Sequence, residues 1–162
     1  YSAWRLEQER RQAQIDAQKV LYSWANRHAG ILLFCSRMTR GPGRDGPPDF
    51  GLLDYQYGPR FAYGALAALT GTLTGTSFSK TLSESEEAHL YLFRSEGDFV
   101  LAGFTLLEKP VIVRILTDAR EVIAIDEMGN ATPGERGDEL AFELDAYPRY
   151  RILRGAGWVT RK

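Results

Sequence analysis

The chain holds one cysteine, Cys35, in 162 residues. No disulfide can therefore form within it, and a reducing compartment is permitted without being required. It has no apolar run of about 18 residues, so no transmembrane helix is expected and no membrane partner is inferred. It lacks an excess of positive charge, with 20 Lys and Arg against 21 Asp and Glu. A phosphate backbone demands a basic face, so nucleic acid is not an expected partner. Histidine is almost absent: His28 and His89 stand far apart, with no HxH or HExxH spacing, which argues against a metal site. There is no internal repeat and no low-complexity linker. No initiator Met or signal-peptide pattern opens Tyr1-Ser2-Ala3-Trp4, which reads as a trimmed or processed start, or a cut from something longer.

A chain of about 160 residues can bury roughly 70% of its unfolded surface, enough for a real core. Leu6 to about His28 reads as an amphipathic helix, with Ala13, Ala17, Val20, Leu21, Trp24 and His28 on one face. Glu7 and Glu9 are expected in its first turn, where the helix dipole favours negative charge. Gly30 is the expected stop. The run Gly30-Ile31-Leu32-Leu33-Phe34-Cys35-Ser36 has no alternation and fits a strand covered on both faces, as in a parallel sheet. No second run of this kind occurs, so its neighbours are expected outside this chain. A long loop follows from Arg37 to Gly58. Pro59 suits the first turn of a second helix with Phe61, Ala62, Ala65, Leu66 and Leu69 as its apolar stripe, and Gly71 as its end. After Gly75 come seven short strand candidates: Ser77–Ser83, Ala88–Ser95, Phe99–Thr105, Val111–Thr117, Glu121–Asp126, Leu140–Asp145 and Arg149–Leu153. Turn signals separate them, the pattern of an antiparallel β-sandwich.

Two segments carry a resemblance. Asp49-Phe50-Gly51-Leu52-Leu53-Asp54-Tyr55 leads into Pro59-Arg60-Phe61-Ala62-Tyr63-Gly64-Ala65-Leu66. It resembles the loop after the eighth strand of sugar-cleaving (β/α)8 barrels and the opening of their eighth helix. Asp126-Glu127-Met128-Gly129-Asn130 and Ala146-Tyr147-Pro148-Arg149-Tyr150 resemble signatures of the β-sandwich that follows such barrels. The chain thus resembles the C-terminal part of a clan A-type glycoside hydrolase of the xylosidase and iduronidase-like group. The resemblance implies an α+β fold: residues 1–75 as the last helix–strand–helix of a (β/α)8 barrel, and 76–162 as an antiparallel β-sandwich. It implies a carbohydrate substrate, no cofactor, and the remainder of the barrel as partner, in the same protein or a companion chain. Two glutamates about 5–5.5 Å apart would do the chemistry with retention. Both would lie upstream of Tyr1, so no catalytic residue is assigned here.

Substrate contacts are expected from Ser36, Arg37, Arg44 and Asp45, which follow the strand end or lie in the long loop. They offer hydroxyl, guanidinium and carboxylate partners to sugar hydroxyls; the plainer reading is a solvated loop. Trp4 can stack on a pyranose or pack against the barrel. Where such enzymes often carry an aromatic platform, this chain has Cys35-Ser36-Arg37. Cys35 itself reads as a buried apolar residue rather than a nucleophile. Glu84, Glu86 and Glu87 read as a solvated turn, and Trp158 as an anchor for the tail. The competing function is a non-catalytic sandwich binding carbohydrate or protein. Tyr91, Phe93, Phe99 and Phe104 are the aromatics it would need in the open, and their spacing reads as core.

Overall fold

The computed structural model describes residues 3–28, 30, 31, 33 and 51–162. Two helices come first, α1 (Ala3–Ala25) and α2 (Phe61–Leu73). Nine strands follow: β1 (Ser77–Glu84), β2 (His89–Arg94), β3 (Asp98–Phe104), β4 (Val111–Thr117), β5 (Glu121–Ile125), β6 (Ala131–Pro133), β7 (Glu139–Leu144), β8 (Arg149–Arg154) and β9 (Val159–Arg161). One sheet has the order β1-β2-β3-β8-β5-β6 and the other β7-β4-β9. Every pairing is antiparallel.

The layers follow from side-chain alternation. Leu90 and Leu92 of β2, with Leu101, Val122 and Leu153, meet Val113, Ile115, Phe142 and Leu144 of the smaller sheet. Tyr91 and Phe93, with Val100, Ala102, Phe104 and Tyr150, point the other way onto Leu21, Ala25, Leu69 and Leu73 of the helices. The six-stranded sheet is therefore a middle layer. That is why Leu90 through Phe93 are buried without a break, and why the segment reads as continuous apolar sequence. Each such large side chain contributes about 1.5–3 kcal/mol when fully buried. The sheets close over Gly103, where a Cβ would stand 2.7 Å from the His89 carbonyl oxygen and 3.0 Å from Leu144 Cδ2. The expectation that Tyr91, Phe93 and Phe104 are core holds, and Phe99 packs against the core partly buried.

The helices lie side by side and parallel. Glu9 of α1 faces Arg60 at the start of α2. Ala13 and Ala17 cluster with Ala62 and Ala65, and Leu21 and Ala25 share a core with Leu69 and Leu73. Four alanines along this seam let the two backbones approach closely. Both motifs that carried the family resemblance in the sandwich dock this pair. Gln18 Nε2 donates to the Ala146 carbonyl at 2.6 Å, and the Tyr147 hydroxyl donates to the Arg10 carbonyl at 3.0 Å. The Asp126–Asn130 turn lays Gly129, at φ 87°, against Ala68 of α2, with a built Cβ 3.4 Å away. The helices and the sandwich thus pack against each other, as the missing linker implied.

Several boundaries differ from the sequence expectation. α1 starts at Ala3, so Glu7 and Glu9 lie beyond its first turn and Glu9 is buried. It stops before Gly30: Arg27 adopts φ 55°, its N–H reaches the Trp24 carbonyl, and the His28 N–H reaches that of Ser23. This is a Schellman closure with a non-glycine at the left-handed position, and it leaves His28 outside the helix. Gly71 lies inside α2, which ends at Leu73 ahead of Gly75 at φ 78°. Pro59 pairs with Leu53 in a short bridge and precedes the helix. In the expected strand at 30–36, Gly30, Ile31 and Leu33 belong to no strand and Ile31 is exposed. Among the described residues no strand lies beside these three to exchange ladder hydrogen bonds with them. Leu32, Phe34, Cys35 and Ser36 lie outside the described residues. The strands β6 and β9 were not expected.

Candidate functional site at the helix starts

Because α1 and α2 are parallel, their N-terminal ends lie at one end of the protein. Trp4 sits there in the first turn of α1, with 62% of its surface exposed. The turn that leads into α2 rises at the same end. Asp54 organises it: its Oδ1 accepts the N–H of Gln56 at 2.8 Å and of Gly58 at 2.7 Å. Its own N–H donates to the Gly58 carbonyl at 2.8 Å. Tyr57 at the tip is held at φ 67°, a region that side-chain-bearing residues rarely occupy. Tyr57 and Tyr55 are both exposed.

A buried ion pair fixes this end. Arg60 Nε stands 3.2 Å from Glu9 Oε1, with side-chain exposures of 8% and 6%. Arg60 Nη1 also donates to the Gly51 carbonyl at 2.7 Å. One guanidinium therefore ties the α1 helix, the segment entering the turn and the start of α2. Arg10 lies over the Phe61 ring at 5.8 Å. Glu9, committed to Arg60, holds the scaffold rather than offering a carboxylate for acid–base work.

Of the expected substrate contacts, Trp4 is placed at this end. Ser36, Arg37, Arg44 and Asp45 lie outside the described residues, as does Cys35. Tyr55, Tyr57 and the Glu9–Arg60 pair were not singled out in advance. Their signal was the spacing of Asp54 and Gly58 before a proline, which marks a side-chain-capped turn. Exposed aromatic rings can stack on the apolar face of a pyranose. Among the described residues no group of three or more metal-ligating side chains converges.

Two other regions carry polar groups. At the opposite end of α1, a cleft of about 590 Å³ opens between Ser23, Trp24, Arg27 and His28 on one side and Thr76, Ser77 and Phe78 on the other. None of its described lining residues is a carboxylate. Beside it, the His89 ring stacks on Phe104 with centroids 4.7 Å apart and Nδ1 3.2 Å from the Tyr91 hydroxyl. Burial holds the His89 pKa below its ordinary value, against the opposing pull of Glu84. Burial likewise pushes the Tyr91 hydroxyl well above its ordinary pKa, with Glu84 and Tyr22 acting in the same sense. Glu86 and Glu87 are exposed, as expected of a solvated turn. Trp158 is half exposed, while its backbone N–H is held by Asp118 at 3.1 Å and its carbonyl by the Thr117 hydroxyl at 3.1 Å. It is the backbone at 158, more than the indole, that anchors the tail.

No protein-family profile and no curated protein matches the sequence. The fold is similar to that of a solved family 39 glycoside hydrolase from the gut symbiont Bacteroides cellulosilyticus. The TM-score is 0.78 at 21% identity, over 90% of this chain and 31% of that one. A family 30 endoxylanase from Clostridium papyrosolvens aligns over 70% of this chain and 31% of its own length, at 12% identity and TM-score 0.45. The chain spans about a third of the length of these solved structures. At these identities the first likeness defines the fold: two helices on an antiparallel sandwich, of a kind found within a glycoside hydrolase.

Proposed function

We propose that this chain is the C-terminal portion of a glycoside hydrolase that cleaves O-glycosidic bonds. In this reading residues 1–75 are the seventh helix, eighth strand and eighth helix of a (β/α)8 barrel, and 76–162 are the β-sandwich that braces it. The reaction proceeds with retention, and both catalytic glutamates lie outside this chain, as in clan A-type enzymes of the xylosidase and iduronidase-like group. The partner is the remainder of the barrel and the substrate is a carbohydrate.

The parallel packing of α1 and α2 carries the reading. Parallel helices in succession need a return along their length. α2 has 13 residues and is about 20 Å long at 1.5 Å per residue. About six extended residues at roughly 3.3 Å each cover that distance. The run from Gly30 to Ser36 has the length and the apolar character for it, and helix–strand–helix with parallel helices is the repeating unit of the barrel. The barrel's active site lies where strands end and helices begin, the end that bears Trp4, Tyr55 and Tyr57.

The test is hydrolysis of a panel of aryl glycosides, with product anomers followed by NMR. The 162-residue chain should be inactive. A polypeptide that also carries the sequence encoded upstream of Tyr1 should release the sugar with its anomeric configuration retained. Turnover by the chain alone, or inversion by the longer polypeptide, would overturn the reading. A purely non-catalytic module predicts inactivity in both.

A further inference from the structure

The two sheets are unequal, and this leaves one flank of the sandwich thinly covered. Arg161 of β9 hydrogen-bonds Ser83 of β1, while Phe142 of β7 lies under Arg151 of β8. The three-stranded sheet therefore reaches from β1 to about β8. Val122 at the start of β5 still packs between the sheets, but towards Ala124 and the exposed β6 the covering thins. Two adjoining cavities of about 280 and 250 Å³ open there and share Ala124, Glu143 and Arg151 in their walls.

Arg151 dominates this flank. Its position on the strand points it inward, in line with core residue Leu153. Its guanidinium carbon sits over the Phe142 ring, 4.8 Å from the centroid, a cation–π contact. Nη1 donates to the Tyr150 carbonyl at 3.0 Å. A guanidinium has five N–H donors, and among the described residues no carboxylate stands within ion-pair distance of this one. Neighbouring Arg149 is different, being paired with Glu127 at 2.7 Å and Asp145 at 3.5 Å. Burial, and then Arg149, hold the Arg151 pKa below the ordinary arginine value against the pull of Glu143 and Glu135. A half-buried guanidinium that rests over an aromatic ring and lines an open cleft is the kind of group that grips a carboxylate with two parallel hydrogen bonds. The cleft also presents the Thr132 hydroxyl and the Glu135 and Glu143 carboxylates, partners suited to sugar hydroxyls. Its volume is below the 300–1,000 Å³ typical of larger ligands and suits a single ring.

We propose that this flank is a binding site for a sugar acid of the hexuronate class, with the carboxylate on the Arg151 fork and ring hydroxyls on Thr132 and Glu143. The choice of a sugar acid over a simple carboxylate rests on the carbohydrate reading above; the site itself does not. Titration of the full chain with glucuronate, glucose and acetate, followed by backbone amide NMR, tests it. Glucuronate should shift the amides around Ala124, Thr132 and Arg151, and glucose should leave them in place. Acetate should need at least about tenfold higher concentration. Arg151→Met, which keeps the apolar stem over Phe142, should weaken glucuronate binding about tenfold or more. Arg151→Lys, which keeps the charge without the fork, should fall between. The amide spectra report whether each variant remains folded. Silence with glucuronate, equal binding of glucose, or unchanged binding by folded Arg151→Met would overturn the site. Acetate binding as tightly as glucuronate would overturn the sugar-acid assignment, and neither outcome depends on whether the longer polypeptide hydrolyses glycosides.

Discussion

Removing the Arg60 guanidinium should be among the most damaging single changes in this chain. The group stands 3.2 Å from Glu9 Oε1, with both side chains almost out of water, and it also holds the Gly51 carbonyl at 2.7 Å. Breaking a buried pair by deleting one partner strands the other charge and costs about 3–5 kcal/mol. Arg60→Met keeps most of the apolar stem, so the loss reads on the charge rather than on a cavity. Glu9→Leu should cost about as much, because it strands the cation instead. The double variant strands neither, and replacing such a pair with apolar side chains is often neutral. It still lacks the hydrogen bond to Gly51, so it should recover to within about 1.5–3 kcal/mol of the parent, giving a coupling energy of roughly 3 kcal/mol or more in the double-mutant cycle. Urea unfolding followed by tryptophan fluorescence measures all four proteins, since Trp24 packs against the helix–sheet core. Single variants within about 0.5 kcal/mol of the parent, the range of ordinary surface changes, would refute the claim that this pair clamps the helix starts.

Other expectations follow from single residues. Gly71→Ala should stabilise the chain by about 0.5–1 kcal/mol, because Gly71 lies inside α2 and an added Cβ meets nothing within 4 Å. A destabilisation in urea would restore Gly71 as the helix stop. Burial alone would raise the Asp126 pKa, but hydrogen bonds from the Asn130 side chain and backbone and from Met128, with Arg149 nearby, leave it below the ordinary value. A depressed carboxyl contributes stability that is present above its unfolded pKa of about 4 and lost as pH falls through the folded value. Asp126→Ala should therefore cost about 1–2 kcal/mol at neutral pH and little at the acid end, measured by thermal unfolding across pH. His89 is depressed too, so its neutral ring contributes fully above about pH 6.5 and the contribution fades as pH falls through the folded pKa. His89→Phe should flatten that acid limb, and an unchanged limb would remove His89 as its cause.

The strands were legible because their cause is local. β4 coincides with the expected Val111–Thr117, and the other six expected strands match within one residue at each end. β6 and β9, with three residues each, carry too little pattern to be seen. Helix ends were less legible, because glycine is only the common residue for a left-handed stop. Arg27 takes that conformation at the end of α1 and covers Phe78 with its guanidinium 5.7 Å from the ring. Glu9 reads along the chain as a surface residue of an amphipathic helix. It becomes a buried partner only because α2 runs parallel and sets Arg60 beside it. Arg151 follows the same logic, since its alternation with Tyr150 and Ile152 suggests a solvated face. The unequal width of the two sheets places that face beside a cleft.

As proposed, this sequence completes a barrel that it does not itself contain. Intact-mass spectrometry under denaturing conditions, on protein captured from its native source with an antibody against this chain, decides whether that barrel exists. The expected result is either one polypeptide far heavier than 18.2 kDa or a companion chain of roughly barrel size. A lone species at 18.2 kDa with no companion would contradict it and leave the sandwich as a free-standing binding domain.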